Sequence, residues 1–248
     1  MSGIVLVTGG SRGIGASTVL LAAERGYQIC FSFLEAREKA EALLEKAKGM
    51  GCKAIAVQAD TSVEADVVRL FETADKELGR LTALVNNAGV VLGQSRVEDM
   101  SAERIQRMMA VNVLGPLLCA REAIKRMSTR RGGKGGAIVN VSSGASRLGS
   151  PGEYVDYAAS KGAVDTLTIG LAKELAADGI RVNAVRPGFI NTEIHASGGE
   201  PNRIERLRES IPMKRGGEPE EVARAILWLL SDESSYSTGA IIDATGGR

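Results

Sequence analysis

An excess of either charge is missing from this chain. Lys and Arg number 31 against 30 Asp and Glu over 248 residues, and the formal net charge is +1. Acids and bases are interspersed, so nothing in the pattern marks a surface for nucleic acid or anionic membrane. The densest basic cluster, Arg126 to Lys134, is interrupted by Gly132-Gly133 and reads as a helix end followed by a turn. Cysteine is scarce as well. Cys30, Cys52 and Cys119 show no metal-ligand spacing, and an odd count without a pairing framework suits a reducing compartment. Cys30 and Cys119 lie in apolar stretches and read as small buried hydrophobes. No apolar run approaches the ~20 residues of a membrane-spanning helix, and an apolar strand begins too soon after Met1 to leave room for a signal peptide. Linkers, repeats and low-complexity tracts are absent too. These absences predict a soluble cytoplasmic protein folded as one domain over residues 1–248, and the 44% hydrophobic content is ample for its core.

What is present alternates. Short apolar runs occur at Gly3–Val7, Gln28–Phe33, Lys53–Gln58, Ala83–Asn86, Ala137–Val141, Arg181–Arg186 and Ala240–Asp243. Between them, apolar residues recur every three or four positions at Gly13–Arg25, Glu35–Lys48, Val63–Leu78, Arg104–Met127, Tyr154–Ala177 and Pro219–Leu230. Continuous apolar strands separated by amphipathic helices predict an α/β protein with a doubly wound, seven-stranded parallel sheet, a Rossmann fold with helices on both faces. The stretch 191–215 carries Gly198, Gly199, Pro201 and Pro212 between regular elements. A long insertion at the carboxyl end of a strand is where a lid over a ligand would sit.

The most informative segment is Gly9-Gly10-Ser11-Arg12-Gly13-Ile14-Gly15, placed between the first strand and the first helix. Unpartnered N–H groups and the helix dipole make such a turn an anion site, and glycines let a pyrophosphate approach the backbone. Three further groups fall at strand ends, where a doubly wound sheet binds its ligand. Asp60 could accept from an adenine amino group or serve as a helix cap. Asn86-Asn87-Ala88-Gly89 could brace neighbouring backbone and admit a ribose, or form a structural turn. Ser142 or Ser143 could donate to a carbonyl oxygen that gains charge, and strand alternation turns only one of them toward the site. Tyr157 and Lys161 form the sharpest pair, since four residues along a helix place both on one face. A phenol near its usual ~10 exchanges protons poorly at neutral pH, and an adjacent cation lowers that value. Tyr154 has only Ala158 at the equivalent offset.

Taken in order, these residues resemble the short-chain dehydrogenase/reductase family. The likeness runs through Thr8-Gly9, Gly13, Gly15, Asp60, Asn86 to Gly89, Asn112, Ser143, Tyr157, Lys161, Asn183, and Pro187-Gly188 with Thr192, to the closing Thr238-Gly239, Asp243 and Gly246-Gly247. The resemblance implies that Ser143 orients the carbonyl, Tyr157 passes the proton, and Lys161 lowers the tyrosine's pKa while holding the nicotinamide ribose. It implies that Asn112 supports a water chain returning protons to Lys161 and that Thr192 meets the carboxamide. Cofactor contacts would come from Gly9, Ser11, Arg12, Gly13, Ile14 and Gly15 at the first turn, and from Asp60, Asn87, Ala88 and Gly89. Pro187, Gly188, Ile190 and Thr192 would add the rest beside Tyr157 and Lys161, with no metal. The serine–tyrosine gap is one residue longer than the family's commonest spacing, which would land on Gly144. Ser143 is kept because the strand ending aligns, with Ser142 and Ser146 as alternatives.

The second strand ends Ser32-Phe33-Leu34 without the acid that NAD-preferring relatives carry there. Arg12, and also Arg37, could neutralise a 2′-phosphate, whereas Glu35 points the other way unless it starts a helix. The expectation is an NADP-dependent oxidoreductase acting on a carbonyl/alcohol pair, against an NAD-linked sugar or polyol dehydrogenase and a non-catalytic nucleotide binder. His195, Arg147, Glu153 and Tyr154 are candidate cleft residues, His195 also reading as an exposed loop residue. Relatives of this kind commonly assemble as homotetramers through helices matching Arg104–Met127 and Tyr154–Ala177.

Overall fold

The computed structural model describes residues 3–248, apart from the side chain of His195. Seven strands, β1 (Ile4–Val7), β2 (Gln28–Phe33), β3 (Ala54–Gln58), β4 (Ala83–Asn86), β5 (Gly136–Val141), β6 (Ile180–Pro187) and β7 (Ile241–Ala244), form one sheet in the order β3-β2-β1-β4-β5-β6-β7. Every pairing is parallel; Val5 lies between Ile29 of β2 and Ala83 of β4. The order reverses between β1 and β4, so the crevice at their carboxyl ends is the expected ligand position. The doubly wound sheet predicted from apolar alternation is the one observed, with each strand within a residue or two of its predicted bounds.

The helices are α1 (Gly13–Glu24), α2 (Arg37–Gly49), α3 (Glu64–Leu78), α4 (Ala102–Met109), α5 (Gly115–Met127), α6 (Ala145–Leu148), α7 (Val155–Leu175), α8 (Ile194–Ser197), α9 (Arg203–Leu207) and α10 (Pro219–Leu230). On one face Val19 and Ala22 of α1 pack with Val222 and Ile226 of α10 over Val5, Val7, Ile29 and Phe31. On the other, Leu70 and Phe71 of α3, Ala123 of α5 and Leu175 of α7 cover Leu6, Leu84 and Ile138. Both faces of β1 are therefore dry, which is why its sequence is apolar without alternation.

Three differences from expectation have physical causes. The continuous helix expected over Arg104–Met127 is interrupted by a π-helical turn, Ala110–Leu114, between α4 and α5. Pro116 cannot donate to the carbonyl of Asn112 four residues back, so the ladder must rearrange there. The expected helix Tyr154–Ala177 begins at Val155 and closes in a 3₁₀ turn, Ala176–Asp178. The stretch 191–215 holds two short helices, α8 and α9, in place of irregular chain.

Candidate active site

The carboxyl ends of the strands open into a cleft of about 980 Å³. Its floor at one end is the turn after β1. Gly9 and Gly13 take φ of +63° and +53°, where a side chain is strained, and a Cβ on Gly13 would lie 3.1 Å from Cγ2 of Thr192. Helix α1 starts there with no side-chain cap and no acid in its first turn. Its free N–H groups and positive dipole end face the cleft, as a bound pyrophosphate requires. Asn87 braces the turn: Nδ2 donates to the carbonyls of Thr8 (2.9 Å) and Gly9 (3.0 Å), while the Thr8 hydroxyl accepts from Asn87 N and Ala88 N.

Gly9, Ser11, Arg12, Gly13, Ile14, Asp60, Asn87, Ala88, Gly89, Pro187, Gly188, Ile190 and Thr192 all line the cleft with Tyr157 and Lys161. Gly15 lies just behind this lining. A Cβ there would meet the Gly9 carbonyl at 2.4 Å and Asn87 Nδ2 at 2.6 Å, so Gly15 lets α1 close against the turn that binds. Asp60 lines the cleft but its carboxylate is engaged, accepting from Ser62 N (2.9 Å) and Oγ (2.6 Å) and pairing with Arg107 at 3.3 Å. It therefore serves a turn and faces the cleft at once.

At the other end, β5 and α7 bring Ser143, Tyr157 and Lys161 together. Lys161 is buried; its Nζ donates to the Val141 carbonyl at 2.8 Å and lies 5.7 Å from the Tyr157 ring centroid. Ser143 shares the cleft with the Tyr157 phenol and acts on it, holding its pKa down. Ser142 turns inward, its Oγ donating to the Lys161 carbonyl at 3.2 Å, and Ser146 Oγ donates to the Ser143 carbonyl at 2.8 Å. Of the three serines only Ser143 meets the phenol. The extra residue in the serine–tyrosine gap falls in the loop and single helical turn (α6) between β5 and α7.

The electrostatics depart from the expected pattern. Burial raises the Tyr157 phenol above its usual value, with the Ser143 hydrogen bond opposing it. Burial also lowers Lys161 to about 8, with the Asp165 carboxylate opposing. Among protein groups alone, desolvation sets both directions, upward for the phenol and downward for the lysine. Lys161 thus sits where its charge is only just retained at neutral pH.

Asn112, on the π-helical turn, is fully buried. It accepts from Val90 N at 2.8 Å and donates to the Val90 carbonyl (2.9 Å) and Ser160 Oγ (3.0 Å). A Cβ on Gly89 would lie 3.3 Å from Asn112 Oδ1, a tight contact, and 3.4 Å from Lys161 Nζ, so glycine leaves these groups room. Asn183 is structural, bonding Ser237 O and Ala240 N.

Several residues escaped sequence reasoning. Asp156, one position before the tyrosine, accepts from Tyr157 N at 2.9 Å and is held by Arg104 Nε at 2.8 Å, both side chains largely buried. An acid in the first turn of α7 was the only available signal. Lys39 and Arg12 both pair with Glu193, the first at 2.5 Å and the second at 3.7 Å. Arg203 pairs with Glu153 and Glu200 and stacks over Tyr154, whose hydroxyl donates to the Gly198 carbonyl at 3.1 Å. Glu153 and Tyr154 line the cleft as expected, but Arg147 does not: Asp243 draws it away in a 2.6 Å ion pair. His195 lies on α8; its side chain is outside the described residues. Cys30 and Cys119 are buried, and burial pushes both thiols up to about 12, so neither is a nucleophile.

Residues 9–248 match the family model described as enoyl-(acyl carrier protein) reductase. The chain superposes on a short-chain type dehydrogenase/reductase from Mycobacterium marinum with a TM-score of 0.92 and 34% identity, covering 99% of this chain and 94% of that one. The chain belongs to the short-chain dehydrogenase/reductase family. This short-chain dehydrogenase/reductase is 58% identical over 245 residues to an uncharacterized oxidoreductase, YgfF, of Escherichia coli K12, covering 99% of both chains. It is 35% identical over 247 residues to the 3-oxoacyl-(acyl-carrier-protein) reductase FabG of Staphylococcus epidermidis, covering 100% of this chain and 99% of that one. A 3-ketoacyl-(acyl-carrier-protein) reductase from Brucella melitensis complexed with NADH superposes with a TM-score of 0.91 and 32% identity, covering 99% of this chain and 98% of that one. The protein is therefore an oxidoreductase of a family that acts on CH–OH and carbonyl groups with a nicotinamide cofactor. Among the described residues no helix is long and apolar enough to cross a membrane.

Proposed function

We propose that this chain reduces a small carbonyl compound with NADPH, using Tyr157 as the proton donor. The carrying observation is that Ser143, Tyr157 and Lys161 meet in the same cleft that the uncapped start of α1 opens into. Bound nicotinamide would supply hydride to the carbonyl carbon or accept it from the alcohol. Ser143 donates to the carbonyl oxygen and holds it against the phenol. As that oxygen gains negative charge, the Tyr157 hydroxyl gives it a proton. Lys161, still cationic below about 8, stabilises the phenolate left behind and hydrogen-bonds the ribose. Asn112 keeps residue 90 and Ser160 in place around Lys161 and supports the return of protons to it. Asp156 and Arg104 set the start of α7 and hence the direction of the tyrosine.

The choice of NADP is supported by the cations at the glycine-turn end. Arg12 lines the cleft, and Lys39 reaches the same lid carboxylate, Glu193, from α2. A 2′-phosphate would compete with Glu193 for both. Arg37 is less available, donating to Gln58 Oε1 at 2.9 Å and lying over Phe33. The second reading, an NAD-linked sugar or polyol dehydrogenase, draws on Glu35, which lines the cleft just past β2.

Residues 191–215 act as the substrate lid of a single domain, contributing Thr192, Glu193, Ile194, Gly198 and Arg203 to the cleft. Leu114, Leu117 on α5 and Ile169 on α7 are exposed, which supports assembly into a homotetramer through those helices. Three free cysteines fit a cytoplasmic setting. A panel of aldehydes and ketones assayed with NADPH and NADH tests the reading. Reduction that prefers NADPH is expected, with Arg12→Ala weakening NADPH binding and leaving NADH binding alone. Equal loss of both cofactors, or oxidation of polyols with NAD alone, would favour the second reading.

A further inference from the structure

The charges at the substrate end of the cleft are not balanced. Of the arginines lining it, Arg12 pairs with Glu193, Arg107 with Asp60, and Arg203 with Glu153 and Glu200. Arg248 also lines the cleft, yet among the described residues no carboxylate lies within 4.0 Å of its guanidinium. Its Nη1 donates to Ser210 Oγ at 3.3 Å, a neutral partner. Arg248 lies over the Phe189 ring, 4.9 Å from the centroid, and Arg203 lies over the same ring at 5.6 Å. Two cations on one ring repel each other. Two carboxylates offset the charge of Arg203, but among the described residues no acidic side chain pairs with Arg248. Asp243, whose partner Arg147 also donates to the Arg248 carbonyl at 3.2 Å, is already shared by Arg147 (2.6 Å) and Arg186 (3.6 Å).

A half-buried guanidinium held on an aromatic platform and lacking an acid is a receptor for an oxyanion. Its planar fork matches a carboxylate in a bidentate pair, whereas a phosphate dianion would call for a second free cation. We propose that the substrate carries a carboxylate beside its reducible carbonyl, bound by Arg248 over Phe189 while Ser143 and Tyr157 hold the carbonyl oxygen. This names a substrate class for the carbonyl reduction proposed above and rests on that reaction.

The test compares acids with their esters. Levulinate and acetoacetate, and the methyl ester of each, are assayed with NADPH on the unaltered enzyme, on Arg248→Ala and on Arg248→Lys. The unaltered enzyme should favour each acid by about tenfold or more in kcat/KM, the scale of one charge-assisted hydrogen bond, with the difference in KM. In Arg248→Ala the acid-to-ester ratio should fall towards one, and Arg248→Lys should retain part of it. Circular dichroism and NADPH titration establish that each variant is folded. Esters reduced as well as acids by the unaltered enzyme, or a ratio that survives Arg248→Ala, would overturn the Arg248 assignment and leave the reaction standing. NADPH bound with none of the four compounds reduced would bring down the reaction and this inference together.

Discussion

At the glycine-turn end, the cleft is walled by backbone; at the lid end, by pairs of charged side chains. Gly9, Gly13 and Gly15 admit only hydrogen at their Cα positions, through positive φ or through atoms as close as 2.4 Å to a would-be Cβ, and Asn87 locks the carbonyls of Thr8 and Gly9. Across the cleft, Glu200 accepts from Arg203 (2.6 Å), Arg206 (2.6 Å) and Gln94 (2.9 Å), tying the lid to the loop after β4, and Arg203 ties it to Glu153 before α7. The first wall is rigid, because close packing leaves no alternative arrangement. The second is held by contacts, many of them half-exposed, that each contribute ~0–1 kcal/mol and are screened by salt. Under the proposed function, a rigid wall for the dinucleotide facing a wall of weak ion pairs would suit an enzyme that keeps one cofactor geometry while substrate enters and product leaves.

The largest way to separate the two ends is at Tyr157. Tyr157→Phe should lower kcat by about 10²–10⁴-fold while the NADPH dissociation constant stays within about threefold, measured by single-turnover kinetics and fluorescence titration. Comparable loss of both would mean that the two ends are not separable. Gly15→Ala should do the opposite kind of damage. Its Cβ has no room beside the Gly9 carbonyl, and overpacking of this kind costs about 1–3 kcal/mol, so thermal unfolding should shift down by several degrees with cofactor affinity reduced about tenfold or more. An unchanged melting temperature would show that the turn can yield.

A pH profile sharpens the contrast within the catalytic group. Burial lowers Lys161 to about 8, so its charge is present below that value and lost as pH rises through it; kcat/KM should fall on the basic side with a midpoint near 8. The same depression makes the unfolded chain bind more protons than the folded one between about 8 and the ordinary lysine value. The lysine's contribution to stability therefore rises across that window instead of falling. A profile flat through pH 9 would contradict the placement. The smallest effect belongs to Glu193, about half exposed like Arg12 and Lys39. Glu193→Gln should tighten NADPH by about two- to fivefold and leave NADH unchanged in parallel titrations. Equal tightening of both would place Glu193 outside the 2′-phosphate contest.

The same contrast explains what could be read from the chain. Continuous apolar strands such as Ile4-Val5-Leu6-Val7 announce burial on both sides, and glycines at strand ends announce close backbone approach, so the sheet and the close-packed glycine turn were legible from local pattern. Tyr157 and Lys161 were legible because helical spacing alone brings them together. Arg203, Glu200 and Gln94 were not, and Glu153 was legible as a cleft residue but not as their partner, since their meeting depends on how three distant loops fold over one another. Arg147 was misjudged for the same reason: its partner, Asp243, lies almost a hundred residues away, on β7. Gly15 meets a packing demand that its glycine alone could not announce, because packing and phosphate binding ask for glycine alike. The break between α4 and α5 had a visible cause in Pro116, although the π-helical form that places Asn112 inward needed the fold to reveal it.

The central claim is that hydride passes between a nicotinamide seated on the glycine turn and a carbonyl carbon held beside Ser143 and Tyr157. NADPH carrying deuterium at the transferred position tests it directly, by mass spectrometry of the alcohol formed from an accepted carbonyl substrate. Deuterium on the alcohol carbon with the unaltered enzyme, accumulating about 10²–10⁴-fold more slowly with Tyr157→Phe at saturating cofactor, is the predicted result. An alcohol carbon that carries solvent hydrogen, or labelling at an equal rate by the Tyr157→Phe variant, would contradict it.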